Sequence, residues 1–361
     1  DHIVDAAIKA LRDGQHGYTP ATGLPVLREA VAADLHQRYA VEINPDNVAI
    51  VPGGKVTMFA AILMFGEPGV EILYPDPGFP IYRSMIEFTG ATPVPVPIRE
   101  ENGFGFSAEE LLSLITEKTR LIIVNSPANP CGGVTARAEV DALVKGLAQH
   151  PEIAVLSDEI YDQLLYDGEE HVSLLSYPEL SDRLILLNGW SKTYAMTGWR
   201  MGYSVWPDAL CDKIRKLAVN SWSCVNAPAQ FAALAALTGP QDAVADMRNA
   251  FDARRLLTVE LLNALPGVSC STPKRAFYAF ANITLTASTI SGNSTSGQSA
   301  SGGGVFSNGT TRVNNSTIGG NQTTGQAAYG GGLLSRGRLS LTYSTVFRNS
   351  TTGYQGVGGG L

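Results

Sequence analysis

The sequence predicts an α/β protein in which a mostly parallel sheet carries helices on both faces and is followed by a second, unlike part. Three observations lead there. Short aliphatic runs alternate with helical patterns from residue 24 to 265. Polar motifs rich in Gly, Pro and Asn stand directly after several of those runs, where open parallel sheets collect their ligands. The alternation then stops at a break in composition near residue 282.

The elements follow in order. Leu24, Leu27, Val31 and Leu35 fall at three- and four-residue steps and predict an amphipathic helix. Val48–Val51 reads as a strand feeding a helix over Lys55–Phe65, and Glu71–Tyr74 as a strand feeding one from about Ile81 to Phe88. Ser107-Ala-Glu-Glu110 is a capping box that opens another helix. Leu121–Val124 is a strand before a loop and a helix near Ala136–Gln149. Ile153–Ser157, Leu184–Leu187 and Tyr203–Val205 are further strands, and Asp208 to about Leu265 is helix-rich.

Composition excludes several classes. The chain has 361 residues and a net charge of −7. Residues 283–361 carry four arginines, no acid and no lysine, so the first 282 residues hold −11. The best apolar run, Val56 to Phe65, is too short for a membrane span. An acidic body without a basic stripe argues against nucleic acid. Cys131, Cys211, Cys224 and Cys270 form no close pair and read as reduced thiols of a cytoplasmic protein, with neither a disulfide nor a metal framework. No signal peptide is visible, and the absence of an initiator Met suggests a truncated or processed start.

The polar motifs carry the chemistry. Asn125-Ser-Pro-Ala-Asn-Pro-Cys-Gly-Gly133 follows one strand, Asp158-Glu-Ile-Tyr161 another, and Asn188-Gly-Trp-Ser-Lys192 onward to Arg200 a third. A lysine among Ser, Gly and aromatics just past a buried strand suits a desolvated amine able to form a Schiff base, or is a loop lysine. Asp158 is a buried acid needing a donor or cation, or a helix cap. Tyr161 reads by default as a core tyrosine and Asn129 as a turn former. Arg200 suits a bidentate phosphate contact or a surface pair. Gly53-Gly54-Lys55 opens a helix whose free amides can hold an anion.

Together these residues meet the needs of pyridoxal phosphate: a lysine for the aldehyde, a carboxylate for the ring nitrogen, donors for the phenolate oxygen and an anion site. At this point residues 1–280 resemble the class I/II aminotransferases, fold type I, of the aspartate aminotransferase kind. The resemblance rests on Tyr18 to Arg28, Val51-Pro-Gly-Gly-Lys55, Pro75-Asp-Pro-Gly-Phe79, Asn125 to Gly132, Ser157 to Tyr161, and above all Gly189-Trp-Ser-Lys-Thr-Tyr-Ala-Met-Thr-Gly-Trp-Arg-Met-Gly202. It implies Lys192 as the cofactor-bearing lysine and proton shuttle, Asp158 as the partner of the ring nitrogen, and Tyr161 and Asn129 as donors to the phenolate oxygen. Phe79 would stack on the ring, and Gly53, Gly54, Lys55, Ser191 and Arg200 would contact the phosphate. Tyr18 would reach the site of a partner subunit, which implies a homodimer acting on an amino acid and a 2-oxo acid. Cys131 stands where the family has Thr or Ser. The family also has a further N-terminal segment with a glycine loop, and it continues past a strand that the resemblance places at Ala276–Phe280 into a small C-terminal domain supplying an arginine for the substrate carboxylate. No residue here matches that arginine, so the expected turnover is impaired.

The last part has a period of 28. Ser288–Asn293, Ser316–Asn321 and Ser344–Asn349 repeat, as do Gly302–Gly304, Gly330–Gly332 and Gly358–Gly360. Leu285/Val313/Leu341, Ile290/Ile318/Val346 and Val305/Leu333/Leu361 follow the same spacing. The repeat resembles parallel β-helix coils of bacterial surface proteins; a disordered Gly/Ser/Thr linker is the other reading. The expected division is therefore 1–282, a fold type I domain, and 283–361, a repeat tail of chimeric origin. Alternatives to amino transfer are a pyridoxal phosphate lyase or racemase, and a non-catalytic chimera with a surface-type repeat.

Overall fold

The computed structural model describes residues 1–297, 300–307, 311–335, 338–352 and 357–360. Seven strands form the large sheet: β1 (Val48–Val51), β2 (Glu71–Asp76), β3 (Thr92–Pro97), β4 (Thr119–Asn125), β5 (Ala154–Asp158), β6 (Leu184–Gly189) and β7 (Gly202–Val205). Their order is β1-β7-β6-β5-β4-β2-β3. β7 runs antiparallel to both β1 and β6, and every other neighbouring pair is parallel. All residues of β1, β5 and β6 are buried, the mark of strands covered on both faces.

Successive side chains of a strand enter opposite faces, and the core splits accordingly. Ala49, Ile185 and Leu187 join Leu121, Ile123 and Leu156 beneath helices Lys55–Phe65 and Ile81–Thr89. Val48, Ile50 and Leu186 join Tyr203 and Val205 on the other face, against helices Pro25–Tyr39 and Ala227–Thr238. The predicted spacing explains the first of these: Leu27, Val31 and Leu35 are each 0% exposed. Pro25 opens that helix, where its missing N–H leaves no bond unmade.

Three local expectations change. β3 was not legible because its sequence, Thr-Pro-Val-Pro-Val-Pro, carries three prolines; it pairs only with β2, and a sheet edge tolerates a strand that lacks donors. The capping box at Ser107 is half made. Ser107 Oγ accepts from the Glu110 amide at 3.4 Å, while the Glu110 carboxylate turns to Arg99. Ala276–Phe280 is not a strand. Ala276 takes φ +58, which interrupts an extended run, and the isolated bridge to Leu165 is made by Arg275, the residue before the segment.

The chain divides into two compact units, residues 1–253 with 274–278, and residues 254–273 with 279–361. The second unit begins earlier than residue 283 because Val268–Ser269 pairs antiparallel with Asn282–Thr286. Its remaining described strands pair in parallel at an offset of 28, as in Thr289–Ser291 with Thr317–Gly319 and Thr345–Phe347. Ile290, Ile318 and Val346 stand in register, as do Leu285, Val313 and Leu341. Asn293 Nδ2 donates to Asn321 Oδ1 at 3.0 Å, and Asn321 Nδ2 to Asn349 Oδ1 at 2.9 Å. Val305 pairs with Leu333, whereas Leu361 lies outside the described residues.

Among the described residues, no helix is long and apolar enough to cross a membrane. No group of three His, Cys, Asp or Glu among them could hold a metal ion. The four cysteines are free thiols.

Candidate active site

The candidate residues gather at the carboxyl ends of β4, β5 and β6, where the polar motifs begin. β4 ends at Asn125, β5 at Asp158 and β6 at Gly189, one residue before the short turn of helix Trp190–Thr193 that carries Lys192. β1 ends at Val51, and Gly53-Gly54 leads from it into the helix starting at Lys55.

Asp158 is buried, and each carboxylate oxygen has a donor. The Tyr82 hydroxyl donates to Oδ2 at 2.6 Å and the Ile160 amide to Oδ1 at 3.3 Å. Burial pushes its carboxyl up to about 6, while the Tyr82 hydroxyl, the Ile160 amide and the Lys192 charge act in the opposite direction. An acid this deep needs donors and a cation to stay ionised, and the site supplies both.

The Lys192 amine is half-buried, 5.8 Å from the ring centre of Tyr161 and 5.5 Å from that of Phe277. Burial and the neighbouring Arg200 charge lower its pKa from the ordinary lysine value, against a smaller raising effect of Asp158. A lowered amine pKa leaves more of the neutral, nucleophilic form. Tyr161 is 2% exposed, and its hydroxyl lies 2.5 Å from the Tyr278 hydroxyl. Burial and that bond push the Tyr161 phenol upward, so it stays a donor at neutral pH.

Asn125 organises the loop after β4. Its Nδ2 donates to the Asp158 carbonyl at 3.1 Å and to the Pro127 carbonyl at 3.3 Å, and its Oδ1 accepts from the Asn129 amide at 2.8 Å. Asn129 is thereby held beside β5 with its side chain half-buried. Phe79 is half-buried, edge-on to Tyr82 at 6.1 Å, with Lys55 Nζ 5.3 Å from its ring centre.

Gly53 and Arg200 make a small cradle. Gly53 takes φ +88, and a Cβ there would sit 2.2 Å from Arg200 Nη2. Gly202 comes equally close to the backbone, since its Cβ would meet the Gly54 amide nitrogen at 2.5 Å. Arg200 is exposed and anchored by donating to the Thr197 carbonyl at 2.8 Å. The cradle faces a helix start, whose first amides lack intrahelical acceptors and favour an anion. Ser191 is half-buried next to Lys192, and Gly54 packs on Leu187.

The structure thus brings Lys192, Asp158, Tyr161 and Arg200 together, with Gly53 beside Arg200 and Asn129 tied to the loop that touches Asp158. Tyr18 stands apart from these contacts at 94% exposure. Sequence reasoning passed over Tyr82, Tyr278 and the organising role of Asn125. A signal existed for Tyr82, because a tyrosine on the inner face of a helix must find a partner for its hydroxyl. The donor set fits pyridoxal phosphate: an amine of lowered pKa, a buried carboxylate, a protonated phenol and an anion cradle that any side chain at Gly53 would fill.

Comparison with known proteins agrees with this geometry. The family model for aminotransferase class I and II matches residues 1–292. The aspartate aminotransferase of Geobacillus stearothermophilus is 37% identical over 282 residues, 78% of this chain and 72% of that protein. A probable aspartate/prephenate aminotransferase of Aquifex aeolicus is 37% identical over 81% of this chain and 75% of that protein. Among solved structures, an aspartate aminotransferase from Rhizobium meliloti superposes with a TM-score of 0.76 at 33% identity, covering 78% of this chain and 71% of its own. An aromatic aminotransferase from Pyrococcus horikoshii gives 0.75 at 35% identity over 78% and 75%.

Proposed function

The chain belongs to the class I and II aminotransferase family, and from that premise we propose that it binds pyridoxal phosphate at Lys192 and moves an amino group from aspartate to 2-oxoglutarate. The family membership makes it a pyridoxal phosphate-dependent aminotransferase working on amino acids and 2-oxo acids. Aspartate as donor is supported by the names of its relatives. The observation that carries the reading is the half-buried Lys192 amine over the Tyr161 ring, within electrostatic reach of both Arg200 and the buried Asp158.

When bound, pyridoxal phosphate offers an aldehyde to amines and a ring that draws electrons away from the substrate Cα. Lys192 would hold that aldehyde and, once displaced by a substrate amine, accept and return the Cα proton as a base of lowered pKa. Asp158 would hold a proton on the ring nitrogen. Tyr161 and Asn129 would donate to the ring oxygen, and Phe79 would cover one ring face. Gly53, Gly54 and Lys55 through their amides, with Ser191 and Arg200, would hold the phosphate. Tyr18 belongs to the same reading as a contact to the phosphate site of a second copy, supported by its near-complete exposure. A homodimer follows from it. The start of parallel pairing at Ile283 supports a division near 282, with a β-helix-like tail of foreign style after it. The free thiols support a cytoplasmic address.

The test is product analysis with the purified chain, pyridoxal phosphate, aspartate and 2-oxoglutarate. Glutamate and oxaloacetate forming in equal amounts is the expected result. Racemised aspartate, or elimination products without amino transfer, would overturn it in favour of a racemase or lyase.

A further inference from the structure

We propose that Tyr82 is a positioning residue that keeps Asp158 ionised and fixed in direction, a role which the resemblance did not assign to it. Tyr82 is 0% exposed, and its hydroxyl donates to Asp158 Oδ2 at 2.6 Å. A phenol that is fully buried must spend its proton on an acceptor, and the acceptor here is the carboxylate. Donation to the ionised form favours that form, whereas a protonated Asp158 would bring a second O–H to an oxygen already facing one.

The placement adds a geometric consequence. Tyr82 lies three residues after Phe79 and contacts it edge-on at 6.1 Å, and Tyr82 N–H donates to the Phe79 carbonyl at 3.1 Å. One turn of chain therefore fixes both the aromatic ring beside the site and the donor to its carboxylate. Asp158 also feels Glu159, Lys192, Tyr161 and Tyr278. Glu159 is committed elsewhere, to Ser157 Oγ at 2.8 Å, the Leu174 amide at 3.1 Å and His171 Nε2 at 2.8 Å. The two tyrosines donate or accept between themselves. Tyr82 is thus the side-chain hydroxyl bonded to Asp158, and its removal leaves the carboxylate with one long amide bond and the distant Lys192 charge.

The consequence for cofactor binding rests on the reading above; the Tyr82–Asp158 pair does not. The experiment therefore follows the Asp158 carboxyl itself, by infrared difference titration of the full chain, with Asp158→Asn identifying its band. Tyr82→Phe is expected to raise the midpoint by about one to two pH units, a tenfold to hundredfold gain in proton affinity typical of losing a hydrogen bond to a charged acceptor. Substitution of Tyr82 by 3-fluorotyrosine, which keeps the shape and strengthens the donor, is expected to lower it and decides the matter should Tyr82→Phe lose its fold. In the chain loaded with pyridoxal phosphate, the dissociation constant of Tyr82→Phe should rise at least tenfold at pH 7, and the deficit should shrink toward pH 9 as Asp158 ionises without help. A midpoint that stays in place in the folded variant overturns the proposal. A native chain that fails to bind the cofactor counts against the function reading alone, because the midpoint still reports on the pair.

Discussion

The two units bury their apolar residues in different ways. In the first, a seven-stranded sheet is covered on both faces, so strand residues on either side of the backbone reach 0% exposure, as Ile50 and Ile185 do. In the second, each rung is covered by its neighbours along the stack. The middle rung is therefore buried, with Val313 at 1% and Ile318 at 0%, while Leu341 in the last rung is 38% exposed. A layered sheet creates a protected interior at once and leaves its strand ends free for polar chemistry. A stack acquires an interior only where a rung has another on each side. The difference explains why Lys192, Asp158, Tyr161 and Arg200 all lie in the first unit.

Breaking each interior tests that contrast. Ile318→Ala should lower the protection of the Thr317–Gly319 amides against hydrogen exchange by about 3 kcal/mol, the cost of emptying a fully buried site. Ile290→Ala, one rung earlier and half-buried, should cost about 1 kcal/mol by the same measurement. Equal losses at the two positions would remove the distinction between middle and outer rungs.

The first unit makes the opposite kind of prediction, in which a polar site opposes stability. Burial raises the Asp158 carboxyl to about 6, from an ordinary value of 3.8. Between those two pH values the folded chain binds more protons than the unfolded chain, so stability falls as pH rises through the window and the deficit is complete above 6. Asp158→Asn should accordingly stabilise the cofactor-free chain by about 2 kcal/mol at pH 8 and by little at pH 4, measured by urea unfolding at both. Cofactor affinity should fall in the same variant. The smallest effect concerns Tyr18. Tyr18→Phe should leave the melting temperature unchanged, since the side chain is 94% exposed, and, through the proposed contact to a second copy, raise the pyridoxal phosphate dissociation constant about threefold.

Legibility in the sequence followed the same physics. Strands buried on both faces announce themselves as aliphatic runs, and β1, β5 and β6 were found within a residue or two. β3 was hidden because edge strands accept prolines, and the helix His2–Arg12 because the residues it buries are the small Ala7 and Ala10 while its larger Val4, Ile8 and Leu11 are 48%, 41% and 55% exposed. In the site, Lys192, Asp158 and the Gly53 turn stand out because each follows closely on a strand, although a loop lysine, a helix cap and a plain turn fit the same residues taken singly; it is their combination that points to one site. Tyr82 and Tyr278 do not stand out. Each acts through a hydroxyl that meets its partner across 76 and 117 residues of chain; a place on an inner helix face tells that the Tyr82 hydroxyl needs a partner, but no local pattern tells which. Ala276–Phe280 shows the converse error: the resemblance placed a strand there, yet its Tyr278 is used for one hydroxyl contact and its backbone turns at Ala276.

The central claim, that Lys192 is the residue that holds the cofactor, is tested most directly by trapping. The purified chain is mixed with pyridoxal phosphate, reduced with borohydride and mapped by peptide mass. A single stable adduct on Lys192, absent together with the visible absorption band in Lys192→Ala, is the predicted result. Labelling spread over exposed lysines such as Lys9 or Lys55, unchanged by that substitution, would contradict it.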